Sequence, residues 1–357
     1  MAKNIIEMPD IDHVPDAKGL GFVYYHSMSR NFNKLAQVDG LTGEKDTYGQ
    51  LLNRAVRVAL HMKDMGVKPG DIVCTCSFNH LNAAVPLIAS MFIGAISTSI
   101  HPNACVNDLE YLFKLLKPKV IFVQSGGVDK IKHSLSLIDF HTSMVVFDSP
   151  SEAKLLRCHQ DEAKFLPRIV NSLEDTAFIV IKNNSTGYPK AVCYNHYTFL
   201  CYVMNKKYVS DESLSLCLYY ASPSWSVFIA NVNMSIIRGG ARLIYPRYDP
   251  TKAWEMFDHE VTFAFITVLQ LANMCKQGVP KNLNADSLRY LEVGGDFAQK
   301  YQVLELKKMF PNTTVRLVYG LTEILTIFEA SDPKDSKILS EKPMSVGTGV
   351  PGYSYKV

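Results

Sequence analysis

No C-x-x-C pair occurs among the eight cysteines of this sequence, and zinc-type spacing is missing with it. Cys74, Cys105, Cys158, Cys193, Cys201, Cys217 and Cys275 lie far apart, and Cys76 joins Cys74 in a strand-like alternation that points both thiols to one face. A mostly buried, reduced set is expected, and it implies a reducing compartment. Cys158-His159 has the look of a metal fragment whose second half is not evident. Charge of one sign is also scarce: 37 Lys and Arg against 34 Asp and Glu leave +3. The two signs are interspersed, so neither nucleic acid nor an anionic membrane has an electrostatic footprint here. No segment is of low complexity, no repeat of solenoid period appears, and the N-terminus has no apolar signal core.

One long stretch, Leu81 to Ile100, carries no charge at all. Asn82, Pro86, Ser90, Gly94, Ser97, Thr98 and Ser99 within it argue against a lipid-facing span. A buried helix running into a buried strand is expected, and no transmembrane segment.

What is present is the material of a wound α/β protein. The chain has 357 residues, 47% of them hydrophobic, enough for two or three packed units. Short β-branched runs alternate with amphipathic stretches. Strands are expected at Ile72–Cys76, Val120–Val123, Met144–Phe147, Ala177–Ile181, Ser215–Tyr220, Ala241–Tyr245, Thr262–Ile266, Tyr290–Val293 and Val315–Tyr319. A helix is expected from Tyr48 to Met65, with Gly66 as its stop, and another from Gln299 to Met309 with Val303, Leu304 and Leu306 on its apolar stripe. Punctuation at Ser149-Pro150 and at Ser331-Asp332-Pro333 divides the chain into 1–176, 177–335 and a Gly/Pro-rich tail, 336–357. The expected fold is therefore α/β: two wound sheet subdomains with flanking helices, plus the start of an incomplete third β subdomain.

The segment richest in chemistry follows the strand Ala177–Ile181. It reads Lys182-Asn183-Asn184-Ser185-Thr186-Gly187-Tyr188-Pro189-Lys190-Ala191-Val192. Hydroxyls, a glycine and a lysine after a strand suit a phosphate cradle, although the Walker spacing is absent. The segment resembles the phosphate-binding loop of adenylate-forming enzymes, [ST]-[ST]-G-[ST]-T-G-x-P-K-G-V. Ser185, Thr186, Gly187, Pro189, Lys190 and Val192 match. Lys182 and Asn183 stand where hydroxyl residues are usual, while Asn184 and Ala191 replace glycines. Further segments are similar in the same order. Tyr319-Gly320-Leu321-Thr322-Glu323 repeats the family's Y-G-L-T-E, Gly294-Gly295-Asp296 its G-G-[AED] turn, and Ser224-Trp225-Ser226 its acyl-pocket segment. Val346-Gly347 and Pro351-Gly352 match V-G-x-x-x-P-G.

The chain is thus identified as a member of the adenylate-forming superfamily of acyl-CoA synthetases, 4-coumarate–CoA ligases and beetle luciferases. A histidine usual near Ser226 in luciferases is replaced, which suits the acyl-CoA synthetase branch. The resemblance implies ATP, Mg²⁺ and CoA as cofactors and a carboxylic acid, fatty or aryl, as small-molecule partner. By the resemblance Ser185, Thr186, Gly187 and Lys190 bind phosphates, and Thr322 the α-phosphate. Glu323 holds Mg²⁺. Gly294, Gly295, Asp296, Tyr319 and Gly320 lie against the adenine, and Trp225 and Ser226 line the acid pocket. Catalysis falls to Thr322, Glu323 and Lys190. The family's ribose aspartate and lid lysine are not in the sequence. Acyl-CoA formation impaired by truncation and by the altered loop is expected, with an inactive nucleotide- or fatty-acid-binding pseudoenzyme as the alternative. Localisation is expected to be cytoplasmic; family association offers the peroxisome, but the C-terminus is not of the S-K-L type. The tail is expected to be an edge strand or a loosely packed extension, exposing Val350, Tyr353, Tyr355 or Val357 and inviting self-association.

Overall fold

The computed structural model describes residues 5–182, 187–205, 212–330 and 341–356. Its architecture is two largely parallel sheets with helices between and around them. The first sheet has six strands, in the order Ser143–Val146, Val120–Val123, Ile72–Cys76, Ile96–Ser99, Thr176–Lys182 and Lys190–Asn195. Its pairs are parallel except the last, an antiparallel hairpin in which Lys182 and Lys190 are register partners. The second sheet has seven strands: Thr314–Leu317, Tyr290–Gly294, Phe263–Thr267, Leu216–Tyr219, Ala241–Ile244, Leu35–Asp39 and Lys45–Thr47. Here too only the terminal pair is antiparallel.

Sheet membership crosses the division placed at 176/177. Leu35–Asp39 joins the second sheet, and the hairpin Thr176–Asn195 closes the first. The helices Leu20–Arg30, Tyr48–Asp64, Val85–Ile93 and Ser226–Arg238 pack together in one core. Several polar groups buried there are paired, which offsets their desolvation. Tyr24 Oη donates to Asn233 Oδ1 at 2.9 Å, and Asn233 Nδ2 donates to the Phe199 carbonyl at 2.7 Å.

Local sequence accounts for these elements. Thr47 and Gln50 form a reciprocal capping box at the start of Tyr48–Asp64, and Gly66, at φ 81°, follows its end. Leu51, Leu52, Ala55, Val58, Ala59 and Met62 are buried on one stripe. On Lys300–Met309 the stripe is narrower than expected, because Leu304 is exposed while Val303 and Leu306 are buried. The charge-free stretch forms the wholly buried helix Val85–Ile93 and the strand Ile96–Ser99. No helix among the described residues is long and apolar enough to cross a membrane.

The tail is an edge strand, as one of its two expected forms has it, but it is better packed than expected. Ser354–Lys356 pairs antiparallel with Ile5–Glu7, and Thr348–Gly349 pairs with Leu325–Glu329. Val350 is 5% exposed. Tyr353 Oη donates to the Ile324 carbonyl at 3.0 Å and Tyr355 Oη to that of Ile327 at 2.9 Å, so both rings are half-buried. Pairing with the N-terminal strand satisfies backbone groups that a sequence reading confined to the tail leaves open. Val357 lies outside the described residues.

Candidate functional site

The carboxyl ends of the second sheet's strands converge on one place. Leu216–Tyr219 is flanked by Ala241–Ile244 on one side and Phe263–Thr267 on the other, so the chain departs in both directions from it. Open α/β sheets leave a crevice at such a switch point. A cavity of about 250 Å³ opens there. Tyr219, Gly295 and Val318 come from strand ends and Phe265 from the middle of its strand, Trp225 and Ser226 from the start of Ser226–Arg238, and Tyr319–Thr322 from beyond Thr314–Leu317. The end of the first sheet's strand Thr176–Lys182 reaches the same cavity through Lys182. A wider cavity of about 720 Å³ adjoins it, lined by His101, Asp108 and Pro189 among others. Lys182, Trp225 and Thr322 line both.

Aromatic rings form the apolar wall. Tyr219 stacks on Phe265 with centroids 5.9 Å apart and planes 11° apart, and Trp225 meets Phe265 edge-on at 5.8 Å. Two glycines shape the backbone here. Gly295, at φ 85°, takes the left-handed conformation that favours glycine, and a Cβ there would be in ordinary contact with the Trp225 ring at 3.7 Å. At Gly320 a Cβ would stand 2.3 Å from the Leu325 carbonyl oxygen, so only glycine fits the tight return from Tyr319–Leu321 to Leu325–Glu329.

The charged side of the site is an ion pair. Lys182 Nζ donates to Glu323 Oε1 at 2.7 Å, with both side chains partly exposed. The Lys182 ammonium, together with a local backbone hydrogen bond and the charge of Lys190, holds the Glu323 carboxyl below its usual range. The structure therefore brings the polar loop's flanks, Lys182 and Lys190, to the same side as Thr322 and Glu323. Lys190 is exposed at the start of the returning hairpin strand, and Gly187 is exposed at φ 118°. Ser185 and Thr186 lie outside the described residues. Gly294 is buried behind Gly295. Asp296 is exposed and its Oδ1 accepts from the Phe297 amide at 2.7 Å.

Tyr202, Tyr219, Phe265 and Glu292 also line the cavity and were not among the residues expected there. Glu292 carried a signal: it is the one acidic residue in the otherwise apolar run Tyr290–Val293. It is 2% exposed, and its register partner across the sheet is the equally buried Arg316. Cys158 does not find the partners its neighbour does. His159 Nε2 lies 2.9 Å from Asp64 Oδ2, with His61 Nδ1 3.9 Å from the same oxygen, and this cluster fastens the segment after Leu156 to the helix Tyr48–Asp64.

The family model described as AMP-binding enzyme matches residues 25–357. This chain belongs to the AMP-binding enzyme family. It is similar to luciferin 4-monooxygenase of Photuris pensylvanica, 23% identical over 99% of this chain and 68% of that protein. It is also 23% identical to 4-coumarate–CoA ligase 3 of Arabidopsis thaliana, over 98% of this chain and 64% of the ligase. The chain thus spans about two thirds of the length of these relatives. The solved structure of a luciferase-like enzyme from the nonluminescent mealworm Zophobas morio superposes with a TM-score of 0.91. It is 25% identical, covering 97% of this chain and 82% of that one.

The Mg²⁺ implied by the Y-G-L-T-E resemblance would have to bind through Glu323. Mg²⁺ takes oxygen ligands in a near-octahedral set and is repelled by a neighbouring cation. Glu323 Oε1 is already engaged by an ammonium at 2.7 Å. The described residues of this site, as arranged, do not fit a divalent ion.

Proposed function

We propose that the chain is the nucleotide- and acid-binding domain of an ATP-dependent acid–thiol ligase. The observation that carries this reading is the cavity in which the aromatic wall of Tyr219, Trp225 and Phe265 meets the polar edge of Lys182 and Thr322. An acid laid along the rings presents its carboxylate to that edge. A carboxylate oxygen attacks the α-phosphorus of ATP, the bond to the β-phosphate oxygen breaks, and pyrophosphate leaves. The Thr322 hydroxyl donates to the α-phosphate, and Lys182 and Lys190 offset charge developing on the phosphates. Ser185 and Thr186 add hydroxyl donors from the loop. Gly295 and Tyr319 offer a flat face to the adenine. A thiol such as that of CoA then displaces AMP from the acyl-adenylate.

The aromatic wall of Tyr219, Trp225 and Phe265 favours an aryl acid. Relatives that include a 4-coumarate–CoA ligase support the same class. The second reading, a binding protein without turnover, is favoured by the Lys182–Glu323 pair, which occupies the carboxylate assigned to the metal. Pyrophosphate release separates the two. The chain is mixed with ATP and a panel of aryl, medium- and long-chain acids, with and without Mg²⁺. Release that depends on an aryl acid supports the ligase. Saturable ATP and acid binding without release in any mixture supports the binding protein.

A further inference from the structure

Among the residues of the polar loop that the structure describes, Lys182 departs from the family pattern by putting a charge where a hydroxyl is usual, and that charge is the one that meets Glu323. We infer that the Lys182 ammonium, oriented by Glu323, is the cation that receives the nucleotide phosphates in this chain, in place of a divalent ion. The inference rests on the nucleotide-binding reading above and adds to it a specific ionic requirement.

Placement is the first support. Lys182 ends the strand Thr176–Lys182 and lines both adjoining cavities together with Trp225 and Thr322. A lysine has three N–H donors on its nitrogen. One is spent on Glu323 at 2.7 Å, which leaves two for phosphate oxygens. Anchoring matters because a free lysine loses much side-chain entropy when it binds. Here the carboxylate has already restricted the side chain, so less is lost when an anion arrives.

Charge balance is the second support. Lys182 and Glu323 cancel, and Lys190, the register partner of Lys182 across the hairpin, puts a second positive charge beside the pair, while the carboxylates of Glu292 and Asp108 lie elsewhere in the two cavities. A divalent ion at Glu323 would have to displace the ammonium or sit within a few ångströms of it, and both cost free energy. The rival view is that the pair is an ordinary surface ion pair of little consequence, as many half-exposed pairs are. On that view a divalent ion displaces the lysine freely, and replacing Lys182 leaves nucleotide affinity alone.

Isothermal titration of the full chain with ATP at constant ionic strength decides between them. It is run in excess Mg²⁺ and again in EDTA, on the wild type, Lys182→Ser and Lys182→Arg. The wild type is expected to change affinity by less than about threefold when Mg²⁺ is removed. Lys182→Ser, which frees Glu323 and restores a hydroxyl, should lose about tenfold or more in EDTA and recover with Mg²⁺. Lys182→Arg should keep most of the wild-type affinity in EDTA, because the charge is retained. A wild type that weakens tenfold or more in EDTA, or a Lys182→Ser variant that binds like the wild type there, overturns the inference and leaves the nucleotide-binding reading standing. Absence of saturable ATP binding by the wild type under both conditions overturns the two together.

Discussion

Tyr188, the variable residue of the S-T-G-x-P-K loop, lies flat against Tyr111 of the helix Val106–Leu116, with centroids 4.5 Å apart and planes 17° apart. Tyr188 is otherwise 63% exposed, and this stack tethers it to the body of the protein. A stacked pair is worth about 0.5–1.5 kcal/mol, which corresponds to roughly a two- to tenfold change in an equilibrium. Tyr111→Ala is expected to weaken ATP binding by that factor with little change in thermal midpoint, and Tyr111→Phe to restore it. Titration calorimetry of the two variants reads the difference. Equal weakening by both would assign the effect to the hydroxyl rather than to the stack.

The aromatic wall carries its own reporter. The chain has two tryptophans, and Trp225 lines the cavity while Trp254 is buried against Phe257 and Phe310. An aryl acid should quench the emission of the wild type and of Trp254→Phe saturably. Trp225→Leu should lose the quench and bind the acid about tenfold or more weakly, since a desolvated aromatic contact is removed. Quenching that survives in Trp225→Leu would place the acid elsewhere.

Gly320 is the test of the turn that presents Thr322. A methyl group there meets the Leu325 carbonyl oxygen at 2.3 Å, with both atoms held by the antiparallel ladder. Gly320→Ala is expected to destabilise the chain by about 1–3 kcal/mol and to weaken ATP binding further. Chemical denaturation and calorimetry report the two effects separately. A variant as stable as the wild type would show the return to be looser than the structure describes.

Acid sensitivity follows from two histidines kept neutral inside the fold. Burial lowers His196 to about pH 4, where Nδ1 accepts from the Leu20 amide at 3.2 Å, and burial lowers His80 to about 4 as well. Both pKa values lie below the ordinary 6.5, so the unfolded chain binds more protons between those limits and stability falls as pH drops from 6.5 towards 4. Each group contributes about 3 kcal/mol over the whole window. His196→Asn is expected to flatten the fall by roughly half, as seen in denaturation midpoints at a series of pH values. A slope unchanged by the substitution would mean that His196 is already charged in the folded protein.

Much of the fold was legible because period and punctuation are local. The strands at Ile72–Cys76 and Val120–Val123 occur where their β-branched runs place them, and the helix Tyr48–Asp64 where its stripe and glycine stop do. Leu35–Asp39 was not read, because Leu-Ala-Gln-Val-Asp has no clear alternation and becomes a strand by pairing with Ala241–Ile244, some two hundred residues on. The packing of the tail was not legible for the same reason: its partner, Ile5–Glu7, lies at the other end of the chain. In the site, motif residues such as Thr322 and Trp225 were visible as motifs. Tyr219 and Phe265 were not, since an aromatic within a strand reads as core until the topology shows that the strand borders a crevice. Lys182 was visible as a departure from a pattern, but its partnership with Glu323 spans 141 positions and belongs to tertiary structure.

Photoaffinity labelling reports where on the protein the nucleotide sits. The chain is irradiated with an azido-adenine analogue of ATP, with and without excess ATP, and the labelled peptides are mapped by mass spectrometry. Labelling on the segments around Gly295 and Tyr319, abolished by excess ATP, is the predicted result. Protectable labelling confined to another face of the protein, such as the His61–Asp64 end of its helix, would contradict the account.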